Sequence, residues 1–172
     1  VVGLDPATTA GAGSDECGIV VVGAQSNGPP QNWRAVVLAD CTVQGATPSG
    51  WARAAISAME QYGADRLVAE VNQGGQMVVE VLRQVDPMVP VKSAHASRGK
   101  VARAEPVAAL YEQGRVGHVA GLDALEDQMC RMTARGYEGS GSPDRVDALV
   151  WALHELMIEP AARWRMPGVR GL

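Results

Sequence analysis

The sequence is poor in aromatic residues and has no long apolar segment. Phenylalanine is absent, and aromatic residues make up only 4% of the 172 residues. No apolar run approaches the roughly 18 residues that a membrane span needs, so we expect no membrane partner. Apolar residues still account for 47% and charged residues for 20% of the chain, which argues against a disordered protein. Alanine and valine supply most of the apolar residues, and they predict one domain in which helices pack closely on a sheet.

Cysteine pairs and nucleotide-binding motifs are also missing. Cys17, Cys41 and Cys130 are far apart and odd in number, which argues against a disulfide framework or a zinc site and favours free thiols in a reducing cytosol. The one Gly-Lys pair, at 99–100, is followed by Val101, so the chain lacks the phosphate-binding loop of an NTPase. The net charge of −4 means that any contact with DNA must come from a local basic patch.

Three apolar segments at the start of the chain predict an antiparallel meander. They cover residues 1–5, 18–24 and 33–43, and the loops between them are too short for a crossover helix. A helix is then expected between Pro48 and Gly63. The later strands are predicted at 65–71 and 89–91, and the later helices at 76–85, 100–113, 121–133 and 144–158.

This order predicts an α/β domain of the ribonuclease H-like type over residues 1–160. The expected sheet is mixed and five-stranded, with an antiparallel meander of three strands, two further parallel strands and flanking helices. Residues 161–172 are expected to form a basic tail with little order. The first residues lack an initiator methionine and a signal-peptide pattern, and they are typical of the first strand of a domain cut from a longer chain.

Four acidic residues occupy positions where apolar residues are more usual. Asp5 ends the first strand, and Glu70 lies within the apolar segment LVAEV of the fourth strand. Asp144 and Asp147 are three residues apart and so share one face of the last helix. Asp5 before a proline is also typical of a turn, and Asp144 of a helix start, which the helix dipole favours. Because a buried carboxylate without a partner is costly, we interpret the four acids as one shared site.

Such a site needs cations. Two carboxylates about 4 Å apart repel by about 4 kcal/mol at an effective dielectric constant near 20. Oxygen-only ligands suit Mg²⁺ or Mn²⁺, and no Cys/His cluster competes for zinc. Two such ions roughly 3.5–4 Å apart can activate a water and stabilise the leaving 3′ oxygen of a phosphodiester. The acids therefore predict phosphodiester hydrolysis with two Mg²⁺ or Mn²⁺ ions held by Asp5, Glu70, Asp147 and Asp144.

A basic segment without any acid runs into the first turn of the third predicted helix. Residues 92–103 contain Lys92, Arg98, Lys100 and Arg103. Such a run is often only a solvated surface, but in a net-acidic protein it favours contact with a phosphate backbone, and Lys100 and Arg103 share one helical face. We therefore predict these four residues as DNA-binding.

Taken together, four segments resemble the nuclease domain of the large terminase subunit of tailed phages and gene transfer agents. They are residues 2–6 (VGLDP), 69–75 (AEVNQGG), 100–106 (KVARAEP) and 142–153 (SPDRVDALVWAL). Each segment is weak alone, but the ordered set covers nearly the whole chain. The resemblance implies a metal-dependent endonuclease that cuts concatemeric double-stranded DNA during headful packaging.

The resemblance also implies roles and partners. Asp5, Glu70 and Asp147 would form the catalytic triad, Asp144 would hold an accessory position, and Lys100 and Arg103 would grip DNA near the site. An ATPase motor domain would precede this chain in the full-length protein, and the small terminase subunit and the portal would be partners. The expected location is the cytoplasm of an infected or producing bacterial cell.

Three other interpretations stay open. The first is another structure-specific nuclease of the ribonuclease H-like type, such as a Holliday-junction resolvase, which also ends in a helix with two acids three residues apart. Residues 5–9 (DPATT) are faintly similar to the phosphate loop of actin-like kinases and ATPases, although those folds need two duplicated domains. The acids could also solvate the face of a non-catalytic module that binds a packaging partner.

Overall fold

A mixed sheet forms the centre of the computed structural model, which describes residues 1–6, 16–71 and 76–165. The strands, in chain order, are β1 Val2–Asp5, β2 Glu16–Gln25, β3 Arg34–Asp40, β4 Val43–Gln44, β5 Leu67–Glu70, β6 Val91–Ala94, β7 Val116–His118, β8 Met132–Thr133 and β9 Gly136–Tyr137. The helices are α1 Pro48–Gln61, α2 Gln76–Val85, α3 Lys100–Glu112, α4 Asp123–Cys130, α5 Asp144–Leu153 and α6 Glu159–Arg163. The loop predicted at 7–15, the motif at 72–75 and the end of the predicted tail (166–172) lie outside the described residues.

The strand order is β6-β5-β1-β2-β3-β7, with β4 paired to β2. Strand β2 is antiparallel to β1 and β3, whereas β5 is parallel to β1 and β6 is parallel to β5. The predicted class, an antiparallel meander extended by parallel strands, is therefore confirmed. Within the described residues the sheet has seven strands rather than the predicted five, because β4 pairs with β2 and β7 with β3. Because β1 and β5 are parallel neighbours in register (Leu4 opposite Ala69), their last residues, Asp5 and Glu70, lie at the same edge of the sheet.

Helices cover both faces of the sheet. Helices α1 and α2 pack on one face, where they bury alternate residues of β1 such as Val2 and Leu4. Helix α5 packs on the other face, over the alternate positions of the same strands. Since side chains alternate along a strand, Gly3 and Asp5 of β1 both point to the side of α5.

Two glycines allow α5 to lie directly on the sheet. A Cβ atom built on Gly3 would lie 2.0 Å from the carbonyl oxygen of Ala148, and one built on Gly18 would lie 1.9 Å from that of Asp144. Gly18 is also the β2 residue paired with Asp5. The first turn of α5 therefore sits against β2, next to the end of β1, at a distance that only glycine permits.

The strands differ in detail from the prediction. The third predicted strand ends at Asp40, whose side chain accepts a hydrogen bond from the amide of Thr42 at 3.0 Å and turns the chain into β4. The fifth predicted strand corresponds to β6, which covers Val91–Ala94 rather than 89–91, because Pro90 has no amide hydrogen to donate to the sheet. Strand β7 was not predicted, since it has three residues with a glycine in the middle. The predicted helix at 121–133 ends at Cys130 and is followed by the β8–β9 hairpin.

The last helix is longer and less regular than predicted. Helix α5 ends at Leu153, a π-helical turn covers His154–Ile158, and α6 continues past Pro160 to Arg163. Proline is accommodated because it stands in the first turn of α6. Among the helices of the described residues, none has the length and apolarity needed to cross a membrane.

Candidate metal centre

The structure brings the four predicted acids together at one edge of the sheet. Asp5 and Glu70 end the parallel strands β1 and β5, and Asp144 and Asp147 lie in the first turn of α5, both of them buried. Burial raises the pKa of Asp5 well above its ordinary value, and the negative charges of Asp147, Glu70 and Asp144 raise it further. The charges of the other three carboxylates therefore act on Asp5.

Arg103 of α3 joins two of these acids. Its Nη1 atom lies 3.4 Å from Oε2 of Glu70, and its Nη2 atom lies 3.2 Å from Oδ1 of Asp147. Only 6% of the Arg103 side chain is exposed. The sequence predicted a surface contact with DNA at this position, but the structure buries the guanidinium between the acids.

Trp151 of α5 completes this group. Its indole Nε1 donates a hydrogen bond of 2.7 Å to Oε2 of Glu70, and its ring lies 4.7 Å below the guanidinium carbon of Arg103, which is cation–π distance. The carbonyl of Arg103 accepts a hydrogen bond of 2.8 Å from Nε2 of His154. Arg103 is thus held through both its side chain and its backbone.

Lys100, one helical turn before Arg103, contacts the same aspartate from the solvent side. Its Nζ atom lies 2.5 Å from Oδ2 of Asp147 and donates to Oγ of Ser142 at 2.8 Å. Burial lowers the pKa of the Lys100 ammonium, but its contact with Asp147 and the charges of Asp5 and Asp144 outweigh this effect and raise it. Burial raises the pKa of Asp147, although Lys100 and Arg103 act in the opposite direction.

The donor chemistry of the four acids suits a hard divalent cation, since every candidate ligand atom is a carboxylate oxygen. As arranged in the described part of the chain, however, no three Asp, Glu, His or Cys side chains form a group that could hold an ion. Instead, the two oxygens of Asp147 contact Arg103 and Lys100. For Asp147 to bind a metal ion, one of these cations has to move, and Lys100 is the more exposed of the two, at 43%.

The other two predicted DNA-binding residues lie elsewhere. Lys92 of β6 forms ion pairs with Glu155 and Glu159, the second at 2.9 Å, rather than with the four acids. Arg98 is exposed in the turn before α3. A role in DNA binding stays a prediction for both residues.

A polar cavity adjoins the acids on the side of the β8–β9 hairpin. It has a volume of about 410 Å³, and its lining includes Asp144, Ser142, Arg131 and Tyr137. Arg145, also in the lining, forms ion pairs with Glu16 and with Asp40, the latter at 2.8 Å. The site therefore opens into a groove that carries both acidic and basic side chains.

Sequence reasoning missed Trp151 and Ser142 as members of the site. A signal for Trp151 was present, because it follows Asp147 by four residues and so lies on the same face of α5. No comparable signal exists for Ser142, whose contact with Lys100 joins residues 42 positions apart.

The mixed sheet with acids at the ends of its first and fifth strands and on its last long helix defines the ribonuclease H-like class. A family model described as the terminase RNaseH-like domain matches residues 2–156. The chain belongs to this family, as the sequence segments predicted.

Solved structures of one nuclease are similar to the chain. The crystal structure of the large terminase nuclease from thermophilic phage G20c matches with a TM-score of 0.64 and 19% identity, covering 90% of this chain and 81% of that chain. The same nuclease with bound magnesium matches with a TM-score of 0.59 and 20% identity, and with bound cobalt with 0.59 and 19%, each over 89% of this chain and 92% of that chain. These likenesses show the fold. No curated protein matches the sequence.

Proposed function

We propose that this domain is the nuclease of a phage-type DNA-packaging terminase, a metal-dependent endonuclease that cuts concatemeric double-stranded DNA. Membership of the terminase RNaseH-like family supports a nucleic-acid hydrolase. The convergence of Asp5, Glu70, Asp144 and Asp147 at one sheet edge is the observation that carries the proposal. Four neighbouring carboxylates have little structural value by themselves, because their repulsion and burial destabilise the fold.

The four acids would hold two Mg²⁺ or Mn²⁺ ions, as the G20c nuclease, whose structures carry magnesium or cobalt, holds a divalent ion. Bound divalent ions supply an activated water and stabilise the leaving oxygen of the phosphodiester. The chain contributes the orientation of its carboxylates: Arg103 and Trp151 fix Glu70, and Arg103 fixes Asp147. Lys100 would leave Asp147 and turn to a DNA phosphate, since its ammonium lies at the solvent edge of the site.

DNA would cross the acids along the groove beside Asp144. The exposed cations Lys100 and Arg98, and Arg131 in the cavity lining, would contact the phosphate backbone, and such contacts position DNA without reading its sequence. The partners that we propose for the full-length protein are an ATPase motor domain, a small terminase subunit and a portal. The proposed location is the cytoplasm of the bacterial host.

The proposal is tested by cleavage of supercoiled and linear duplex DNA in Mg²⁺ or Mn²⁺. Glu70→Gln is expected to abolish cleavage while the circular dichroism spectrum stays unchanged. Glu60→Gln, the same substitution at an exposed position of α1, is the matched control and should cut like the wild type. Cleavage by Glu70→Gln at the wild-type rate would contradict the assignment of the site.

A substrate panel separates the terminase from the resolvase alternative. A terminase nuclease should cut linear duplex without requiring a branch, whereas a resolvase should prefer a four-way junction. Strong preference for the junction would replace the packaging role with a resolvase role at the same acids.

A further inference from the structure

Two residues that are not metal ligands contact the candidate ligands directly. The guanidinium of Arg103 reaches both Glu70 and Asp147, and the indole of Trp151 reaches the same Glu70 oxygen that Arg103 contacts. The guanidinium of Arg103 also lies over the indole ring of Trp151, with 4.7 Å between the guanidinium carbon and the ring centroid. We call this pair the Arg103–Trp151 clamp.

The clamp is not a surface that grips DNA. Arg103 has only 6% of its side chain exposed, so its guanidinium is shielded from a phosphate backbone. Burying a guanidinium is unfavourable unless its partners are fixed in good geometry, and here both partners are acids of the site. The burial of Arg103 is therefore explained by what it does to Glu70 and Asp147.

The geometry of the clamp is suited to holding the carboxylates of Glu70 and Asp147 in fixed positions. A planar guanidinium with separate nitrogen donors can hold two carboxylates at a set separation, which a lysine cannot do. The indole ring fixes the plane of the guanidinium, and the His154 hydrogen bond to the Arg103 carbonyl fixes the turn of α3 that carries it. Lys100, by contrast, meets Asp147 from the exposed side. The two cations that contact Asp147 thus differ in exposure.

We propose that Arg103 and Trp151 are positioning residues that set the orientation and separation of Glu70 and Asp147 for metal binding. This inference rests on the proposed nuclease function and names the residues that prepare its site. Partners that orient metal-binding carboxylates typically change metal affinity or activity by about 10- to 100-fold when they are replaced.

The first test is Trp151→Phe, which keeps an aromatic ring beneath Arg103 but removes the indole donor. We expect Mn²⁺ affinity, measured by calorimetry, to fall about 10-fold. The turnover number for DNA cleavage should fall while KM for DNA stays unchanged, because Trp151 is not placed to contact DNA. The matched control is Trp33→Phe, which removes a buried indole donor to the carbonyl of Gly28 at the opposite edge of the sheet.

A second readout follows the indole itself. In a ¹H–¹⁵N spectrum, the Trp151 indole signal is the one that Trp151→Phe removes. Titration with Mg²⁺ should shift this signal in a saturable way as Glu70 takes up the ion, while the Trp33 indole signal stays in place. A Trp151 signal that does not move at saturating Mg²⁺ would overturn the inference.

Arg103→Lys tests the clamp without removing the ring, and it serves if Trp151→Phe does not fold. The variant keeps the positive charge, but a lysine cannot bridge Glu70 and Asp147 with separate nitrogen donors. Mn²⁺ affinity should therefore again fall about 10-fold. If the wild type binds Mn²⁺ and cuts DNA, and both clamp variants match Trp33→Phe in affinity, the clamp inference is wrong and the proposed function stands. A wild type that neither binds Mn²⁺ nor cuts DNA overturns the proposed function and the inference with it.

Discussion

Substitution of Gly18 by alanine should disturb the site, because it forces apart β2 and the first turn of α5. An alanine Cβ at this position would lie 1.9 Å from the carbonyl oxygen of Asp144, whereas real Cβ contacts are not shorter than 3.0 Å. The first turn of α5, or β2 at Gly18 together with the paired end of β1, therefore has to move by about 1.1 Å, the difference between these two distances. Either movement separates Asp144 and Asp147 from Asp5.

The expected magnitudes follow from this displacement. Overpacking of a tight contact lowers the free energy of unfolding by about 1–3 kcal/mol. Alanine also reduces the backbone entropy of the unfolded chain, which offsets this loss by about 0.4–1 kcal/mol. We therefore expect a net loss of about 1–2 kcal/mol. A misplacement of about 1 Å at a reacting centre lowers the rate by about 100-fold, so cleavage should suffer far more than stability.

The assay combines urea unfolding with Mn²⁺-dependent nicking of plasmid DNA. Gly23→Ala is the matched control, because it makes the same change on the same strand, and its Cβ meets only the flexible side chain of Leu38 at 3.3 Å. This control should retain stability and activity. Equal cleavage by the Gly18→Ala and Gly23→Ala variants would refute the reasoning that close contact between α5 and β2 sets the geometry of the acids.

Three further predictions concern charge and metal. The pKa of Asp5 is raised in the folded protein, so between its ordinary value and the raised one the folded state holds more protons than the unfolded state, and stability falls as pH rises. In EDTA, Asp5→Asn should therefore stabilise the protein against urea at pH 8 and lose that advantage near pH 4; equal stability at pH 8 would contradict this. Lys100→Gln should weaken duplex binding and lower the slope of log affinity against log salt by about 1, and an unchanged slope would remove Lys100 from the DNA contacts. Mn²⁺ at 100 times its dissociation constant should stabilise the wild type by about 2.7 kcal/mol, whereas Glu70→Gln should gain little in the same thermal unfolding experiment.

The acids could be predicted from sequence because they contrast with their surroundings. Glu70 interrupts an apolar strand and Asp147 begins an apolar helix stretch, so each residue stands out from its neighbours. The order of strands also predicted that Asp5 and Glu70 end neighbouring strands, and the parallel register of β1 and β5 agrees with this.

The different environments of Lys100 and Arg103 could not be predicted from the sequence. Lys100 and Arg103 are three residues apart on one face of α3, and nothing in the local pattern separates an exposed cation from a buried one. The difference arises from α5, which brings Trp151 over Arg103 from 48 residues away in sequence and leaves Lys100 at the edge. Short strands such as β7 escape prediction for a related reason, since their pairing with β3 rather than their composition makes them strands.

The far end of α5 has its own attachment to the sheet. Glu155, in the π-helical turn that follows α5, forms ion pairs with Arg66 at 3.0 Å and with Lys92, and both partners are partly exposed. This anchor lies about 15 Å along the axis from the first turn of α5, given ten residues at about 1.5 Å each. Dissolved ions weaken ion pairs whose partners are exposed, so we expect concentrated salt to weaken this attachment of the helix that carries two of the acids. A decline of cleavage with ionic strength would then combine two effects, release of DNA and a weaker attachment of α5 to the sheet.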